Sequence, residues 1–322
     1  MAYGLIMSIW NFIRDKYSAG IPVMLLYVLE SKGSSPGRQG FKMAVGADGD
    51  IYGTIGGGIM EHKFVERARS SLRQNINEHG VYRQVHDKSA GTNQSGMICS
   101  GEQTIFIYQV QEADMAGIHA IIHSIKDHMN GVLELSNAGI RFSDDSSIPD
   151  FHFEKKDDDF ILKEKLGFKN TLHIVGGGHC SLALSRLMGE MDFYIHVYDE
   201  RKDLNTIAQN TYAHKKDIVD SYAEIGPLIE EGENVYVVIM TFGYRTDDTA
   251  VRALLHKDFK YFGILGSKKK MEKMFDQYRK ENIGEALLSN IHAPIGMQIN
   301  SQTTAEIAVS IAAEIISVKN EK

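Results

Sequence analysis

The sequence predicts an α/β protein, with an N-terminal α/β domain followed by a Rossmann-like, doubly wound domain. Three observations carry this reading. Apolar runs of strand length alternate with helical stretches along most of the 322 residues. Around Gly176-Gly177-Gly178 a strand, a glycine turn and a helix follow one another, with an acid at the end of the next strand. Two more small-residue loops, at 33–38 and 53–58, flank a short hairpin.

Leu5, Ile9 and Ile13 fall at helical spacing, so the chain opens on an amphipathic helix. Arg14, Asp15 and Lys16 interrupt its apolar stretch, which lacks the basic start of a signal peptide. Residues 22–29 form a continuous apolar run, as expected of a central strand. Phe41 to Val45 and Ile51 to Tyr52 are strand-like, and Asp48-Gly49 supplies the turn between them. A hairpin brings its outer ends together, so Gly33-Ser34-Ser35-Pro36-Gly37-Arg38 and Gly53-Thr54-Ile55-Gly56-Gly57-Gly58 should share one rim. The second loop opens a helix whose buried face is Met60, Phe64, Val65, Ala68 and Leu72. Glycines before a helix start allow a close approach to free N–H groups, and Arg38 and Lys42 add positive charge. Glu61 sits in the first turn, as a simple first-turn acid or as a group facing a ligand.

Strands are expected at 81–86 and 104–110, with the polar loop Ser89 to Gly101 between them. That loop holds Cys99, which reads either as a reactive thiol or soft metal ligand, or as an inert, half-buried thiol. A helical pattern covers 113–129 and a short strand 132–135. Residues 137–169 are polar, carry Asp157-Asp158-Asp159 and hold two short β-like pieces, so they read as a linker with a hairpin. The expected domains are therefore 1–136 and 170–322.

The second domain opens on Thr171 to Val175, then Gly176-Gly177-Gly178-His179-Cys180-Ser181, then a helix and a strand ending at Asp199. This is a dinucleotide-binding βαβ pattern with Ser181 in place of the third glycine. Asp199 suits a ribose hydroxyl and Arg201 a phosphate, and the spacing leaves both open. Gly266-Ser267 starts another helix at a strand's C-terminal end, followed by three lysines that read as phosphate contacts or as a solvated face. Thr303 and Glu306 form a capping box for a last helix, apolar nearly all round and expected to be buried.

The pairing of GSSPGRQG with GTIGGG and Glu61 resembles the xanthine dehydrogenase accessory family, the XdhC/CoxI-type molybdenum cofactor insertion and sulfuration factors. The Gly-Gly-Gly-His179 turn and the segment 292–315 extend the resemblance over most of the chain, and Cys99 falls near a family cysteine, with Ser100 where a glycine is usual. In the carbon monoxide dehydrogenase branch a cysteine stands where this chain has Ile59, so the sequence is more similar to the xanthine dehydrogenase branch. What the resemblance implies is a maturation factor. It would hold the molybdenum cofactor (molybdopterin) while a cysteine desulfurase supplies the sulfido ligand, and pass it to an apo xanthine dehydrogenase-type enzyme. Gly176, Gly178 and His179 would then cradle the pterin phosphate, with Ser34, Ser35, Gly37, Arg38, Gly56, Gly57 and Gly58 on the rest. Cys99 would lie near the metal, and Cys99 and Glu61 would be the reactive groups.

The rival reading is an NAD(P)-dependent oxidoreductase with Asp199 on the ribose, which leaves the first loop pair without a purpose. A formal net charge of −7 gives no basic footprint for nucleic acid. No run reaches the length of a membrane span, and two cysteines build no disulfide framework, so a cytoplasmic protein is expected. The apolar last helix suggests a homodimer.

Overall fold

The computed structural model describes residues 2–86, 101–144, 148–191 and 193–321. The chain divides into two compact units, the first running Gly4–Gly167 and the second beginning at Phe168.

The first unit takes helix α1 (Ala2–Ser18) from Gly4 onward, and the helix buries Ile9, Trp10 and Ile13. Strand β1 (Val23–Gly33) follows, its first seven residues all buried, as the apolar run at 22–29 requires. Strands β2 (Lys42–Gly46) and β3 (Ile51–Gly53) form the hairpin, pairing Met43 with Gly53 and Val45 with Ile51. Helix α2 (Gly58–Arg73) buries Met60, Phe64, Val65, Ala68 and Leu72, the face its spacing marks. Strands β4 (His79–His86) and β5 (Gly101–Gln109) complete an antiparallel sheet of order β3-β2-β1-β5-β4. The buried face of α2 packs on that sheet through Met24, Leu26, Val28, Met43, Val45, Ile105 and Ile107.

Helix α3 (Met115–Lys126) leads into a second sheet made of β6 (Gly131–Ser136), β7 (Gly139–Ser143), β8 (Phe151–Lys156) and β9 (Asp159–Leu166), in the order β7-β6-β9-β8. The polar segment read as a linker thus supplies three strands of a four-stranded sheet that belongs to the first unit. Every second residue of β9 is buried, from Phe160 to Leu166. The Phe160 ring meets Phe106 edge-on at 4.8 Å between centroids. Glu164, also buried, accepts the Tyr27 hydroxyl at 2.6 Å and pairs with Lys42 at 2.8 Å.

The second unit is a parallel sheet built from β10 (Asn170–Val175), helix α4 (His179–Met188), β11 (Phe193–Asp199), helix α5 (Asn205–Gln209) and β12 (Lys215–Ile218). It continues with β13 (Gly232–Ile239), α6 (Tyr244–Leu254), β14 (Phe259–Ile264), α7 (Lys268–Lys280), α8 (Glu285–Ser289), β15 (Ile291–His292) and α9 (Thr304–Asn320). The order β12-β11-β10-β13-β14-β15, parallel throughout, is doubly wound and reverses between β10 and β13. One face buries Val175, Tyr198, Val237 and Ile239 among residues of α6 and α7. The other buries Leu172, Ile174, Val238 and Tyr236 among residues of α4 and α9.

Helix α9 departs from its expectation. Ala308, Ile311, Ala312 and Ile315 are buried, but Val309 is half exposed, so the helix packs on one face. Thr303 and Glu306 do form the reciprocal cap, at 3.2 and 2.9 Å. Among the described residues no helix is long and apolar enough to cross a membrane.

Candidate functional site

In the first unit the hairpin brings the two small-residue loops into contact. A Cβ on Gly37 would run into the Ile55 carbonyl oxygen, and one on Gly56 would sit 2.5 Å from Gly37 N. Only glycine permits that approach, and Gly56 also has a φ of 125°, outside the range of ordinary side chains. Gln103, fully buried on β5, donates its amide to Gly37 O at 2.9 Å and Ile55 O at 3.1 Å, clamping both loops. Gly33 pairs with Gly101 at the end of the sheet, which sets the start of β5 against Ser34 and Ser35.

The carboxylate of Glu61 fills the second loop. Its Oε2 accepts from Thr54 Oγ1 at 2.6 Å, Ile55 N at 2.9 Å and Gly57 N at 3.0 Å. Gly56 N donates instead to Thr54 Oγ1 at 3.0 Å. The donors expected to face a phosphate in this loop are therefore engaged by the chain's own groups, because a first-turn acid can reach back over the glycines preceding its helix. Ser35 is buried with its hydroxyl on Gly37 O at 2.9 Å, whereas Ser34, Arg38 and Gly58 are exposed. Lys42, read as a positive charge beside the loops, is spent on Glu164.

In the second unit the strand order reverses where the β10–α4 turn meets the loop after β13. A Cβ on Gly176 would strike Met240 O and approach Thr241 Cα to 2.9 Å, and the residue has a φ of 110°. Thr206 Oγ1 donates to Gly177 O at 2.5 Å, and the Ile207 side chain covers Gly177. Gly178 differs, since no atom lies within 4 Å of a Cβ placed there. It precedes the start of α4, whose first N–H groups take no cap from the Gly178 position, and His179 is exposed beside it. The arrangement can hold an anion on backbone N–H groups at an open helix start. Cys180 is half-buried, and burial pushes its thiol up, which makes it a poor nucleophile.

Asp199 ends β11 with no exposed surface. Its Oδ2 accepts Gly177 N and Arg201 Nη2, both at 2.7 Å, and its Oδ1 accepts Arg201 N and Nε, both at 2.8 Å. Burial alone would raise its carboxyl, but the Arg201 guanidinium and the two backbone N–H groups outweigh that and hold it below the usual range. The spacing left Asp199 for a ribose and Arg201 for a phosphate; the structure brings the two together and ties both to the glycine turn.

Across the reversal, Asp247 is buried and accepts Thr241 N at 3.0 Å and Thr241 Oγ1 at 2.5 Å, while Lys270 closes on its other oxygen. Lys270 thus belongs to this buried pair, while Lys268 and Lys269 stay exposed. Gly266 is half-buried, and exposed Ser267 caps α7 through Lys270 N at 3.3 Å. The Phe242 ring stands on the anchored loop with 86% of its surface exposed, 5.8 Å from the Arg201 guanidinium. Neither Gln103 nor Phe242 is marked by a motif. A buried glutamine beside two glycine loops and an aromatic just after a Rossmann strand are the signals that point to them.

Cys99 lies outside the described residues. Among the described residues no group of three or more His, Cys, Asp or Glu is placed to hold a metal ion.

Comparison with known proteins matches residues 17–83 to the XdhC and CoxI family and residues 172–315 to the XdhC Rossmann domain. The chain belongs to the XdhC and CoxI family. Both clamped loops of the first unit lie in the first match, and the residues around the strand-order reversal, from Gly176 to Ser267, lie in the second. This XdhC-type chain is 25% identical over 320 residues, 98% of its length, to the Escherichia coli uncharacterized protein YqeB, of which that is 47%. It is 25% identical over 171 residues, 52% of its length, to a probable xanthine dehydrogenase subunit of Bacillus subtilis, of which that is 48%. The chain therefore spans about half the length of these curated relatives. A crystal structure described as a xanthine dehydrogenase from Bacillus halodurans shares the fold, with a TM-score of 0.70, 20% identity and coverage of 96% of this chain and 95% of that one.

Proposed function

We propose that this XdhC-type chain is an accessory factor for a xanthine dehydrogenase-type molybdoenzyme and that it binds the molybdenum cofactor by its terminal phosphate at the Gly176–Gly178 turn. The observation that carries the reading is the division of labour between Asp199 and Gly178. A dehydrogenase that reads ribose needs a free carboxylate at the end of this strand. Asp199 is fully buried with both oxygens committed to Gly177 and Arg201, while the helix start at Gly178 stays open to an anion. This favours a ligand held by phosphate over NAD(P) read through its ribose. Family membership and the name of the Bacillus subtilis relative add weight to a molybdoenzyme client.

Gly178 and His179 would supply the phosphate contact, with Ser267 on the neighbouring helix start. In the first unit Ser34, Arg38 and Gly58 are among the exposed loop groups. Glu61 serves here as the residue that holds the 54–57 loop in shape rather than as a reacting acid. Cys99 is the thiol proposed near the metal. When bound, the cofactor supplies a molybdenum centre that needs a terminal sulfido ligand, delivered by a cysteine desulfurase, before the client enzyme can work.

The test is delivery. The chain, purified from a host that makes the cofactor, is mixed with a cysteine desulfurase and an apo xanthine dehydrogenase-type enzyme, and oxidation of hypoxanthine is followed. Activity that depends on the chain upholds the reading. No activation, together with quenching of NADH fluorescence at micromolar chain, would replace it with the oxidoreductase. A Cys99→Ala variant that still delivers sulfurated cofactor would remove the thiol from the account.

A further inference from the structure

We infer that Phe242 is the stacking face for the flat, fused heteroaromatic ring of the ligand whose phosphate sits at Gly178. For the identity of that ring, a pterin, the inference rests on the function proposed above. A phenyl ring that is 86% exposed gains nothing from the core, and among the described residues the next most exposed large apolar side chain, Ile59, reaches 56%. Scattered exposed apolar residues are ordinary, but this one is held in place at the strand-order reversal, where open α/β sheets take their ligands.

Hydrogen bonds tie down the loop on both sides of the ring. Thr241 is fixed through N and Oγ1 to Asp247, Gly243 N donates to Thr246 Oγ1 at 3.1 Å, and the Thr241 and Thr246 hydroxyls meet at 2.7 Å. Gly176 packs against Met240 O and Thr241 Cα, so the phosphate turn meets the loop that carries the ring. The Arg201 guanidinium, pinned by Asp199, lies 5.8 Å from the ring centroid. A guanidinium itself stacks on aromatic faces, so Arg201 offers a ligand ring a second platform beside Phe242. The position fits a planar ring linked to a phosphate, and a ligand without a ring would leave Phe242 in water.

The experiment uses the full chain with Phe242→Ala and Phe242→Trp variants and three probes, 6-hydroxymethylpterin monophosphate, inorganic phosphate and NADH. Because the side chain is exposed, both variants should melt within a degree or two of the parent. The inference predicts that Phe242→Ala binds the pterin phosphate about tenfold more weakly, that Phe242→Trp keeps the affinity, and that inorganic phosphate binds all three alike. Equal pterin phosphate affinity in Phe242→Ala and the parent would overturn it. If the parent ignores the pterin but binds NADH, the proposed function fails, and the same variants then judge the stacking on NADH. A loss of about tenfold on NADH upholds it, and no change overturns it. A parent that binds none of the probes overturns both.

Discussion

Asp199 Oδ2 accepts the backbone N–H of Gly177 at 2.7 Å, so the acid at the end of the second Rossmann strand fixes the glycine turn from beneath. Its other contacts lock Arg201, and through Arg201 they place a cation beside Phe242. Replacing Asp199 by Asn removes the charge that holds this arrangement together. Asp199→Asn should lose about 1–3 kcal/mol of stability, read by urea denaturation, and should bind pterin phosphate more weakly. A variant with parental stability and affinity would show that the turn does not depend on the carboxylate.

The two ends of the glycine turn should separate folding from binding. Gly176→Ala forces a methyl group against Met240 O at a backbone angle suited to glycine, so it should destabilise by roughly 2 kcal/mol or more. Gly178→Ala has open space and an ordinary φ of −72°, so it should melt like the parent while its methyl obstructs the anion. Thermal melting alongside titration with inorganic phosphate distinguishes the two.

Gln103 is the clamp of the first unit. Gln103→Leu keeps the volume but strips the amide from two buried carbonyls, which should cost about 1–3 kcal/mol. Hydrogen exchange should quicken at 33–38 and 54–58, with α3 unaffected. Unchanged exchange in both loops would contradict the clamp.

Acid should weaken the second unit through its buried histidines. Burial pushes the His173 ring down to about 3, with repulsion from His196 and Lys215 adding to it. Burial also lowers His196, against the pull of Asp217. In the unfolded chain both take up a proton near pH 6.5. The unfolded state therefore binds more protons between about pH 6.5 and pH 3, and stability falls as the pH drops through that window. His173→Gln should flatten the slope by up to one proton, or about 1.4 kcal/mol per pH unit. Urea midpoints at pH 7, 6 and 5 measure it.

Much of the fold was legible because its elements announce themselves locally. The α2 face from Met60 to Leu72 follows helical spacing, and the β10–turn–α4 unit follows the glycine pattern. What stayed hidden depends on side-chain direction or on distant partners. The spacing of an acid after a glycine turn is the same whether it faces a ribose or the turn itself, and only the structure turns Asp199 inward. Lys42 looked available because Glu164, its partner, lies 122 residues away. Glu164 in turn obscured the sheet at 131–166, since a buried acid breaks the apolar alternation of β9. Gln103 and Phe242 carry no motif, and their roles arise from strands and loops brought together by folding.

Cofactor content tests the central claim most directly. The full chain would be purified from a host able to make molybdenum cofactor, oxidised, and analysed for pterin fluorescence together with molybdenum by mass spectrometry. The account predicts near-stoichiometric pterin and metal in the parent, and a marked fall in a Gly178→Ala variant that melts normally. A parent chain empty of both, yet able to bind NADH, would contradict it.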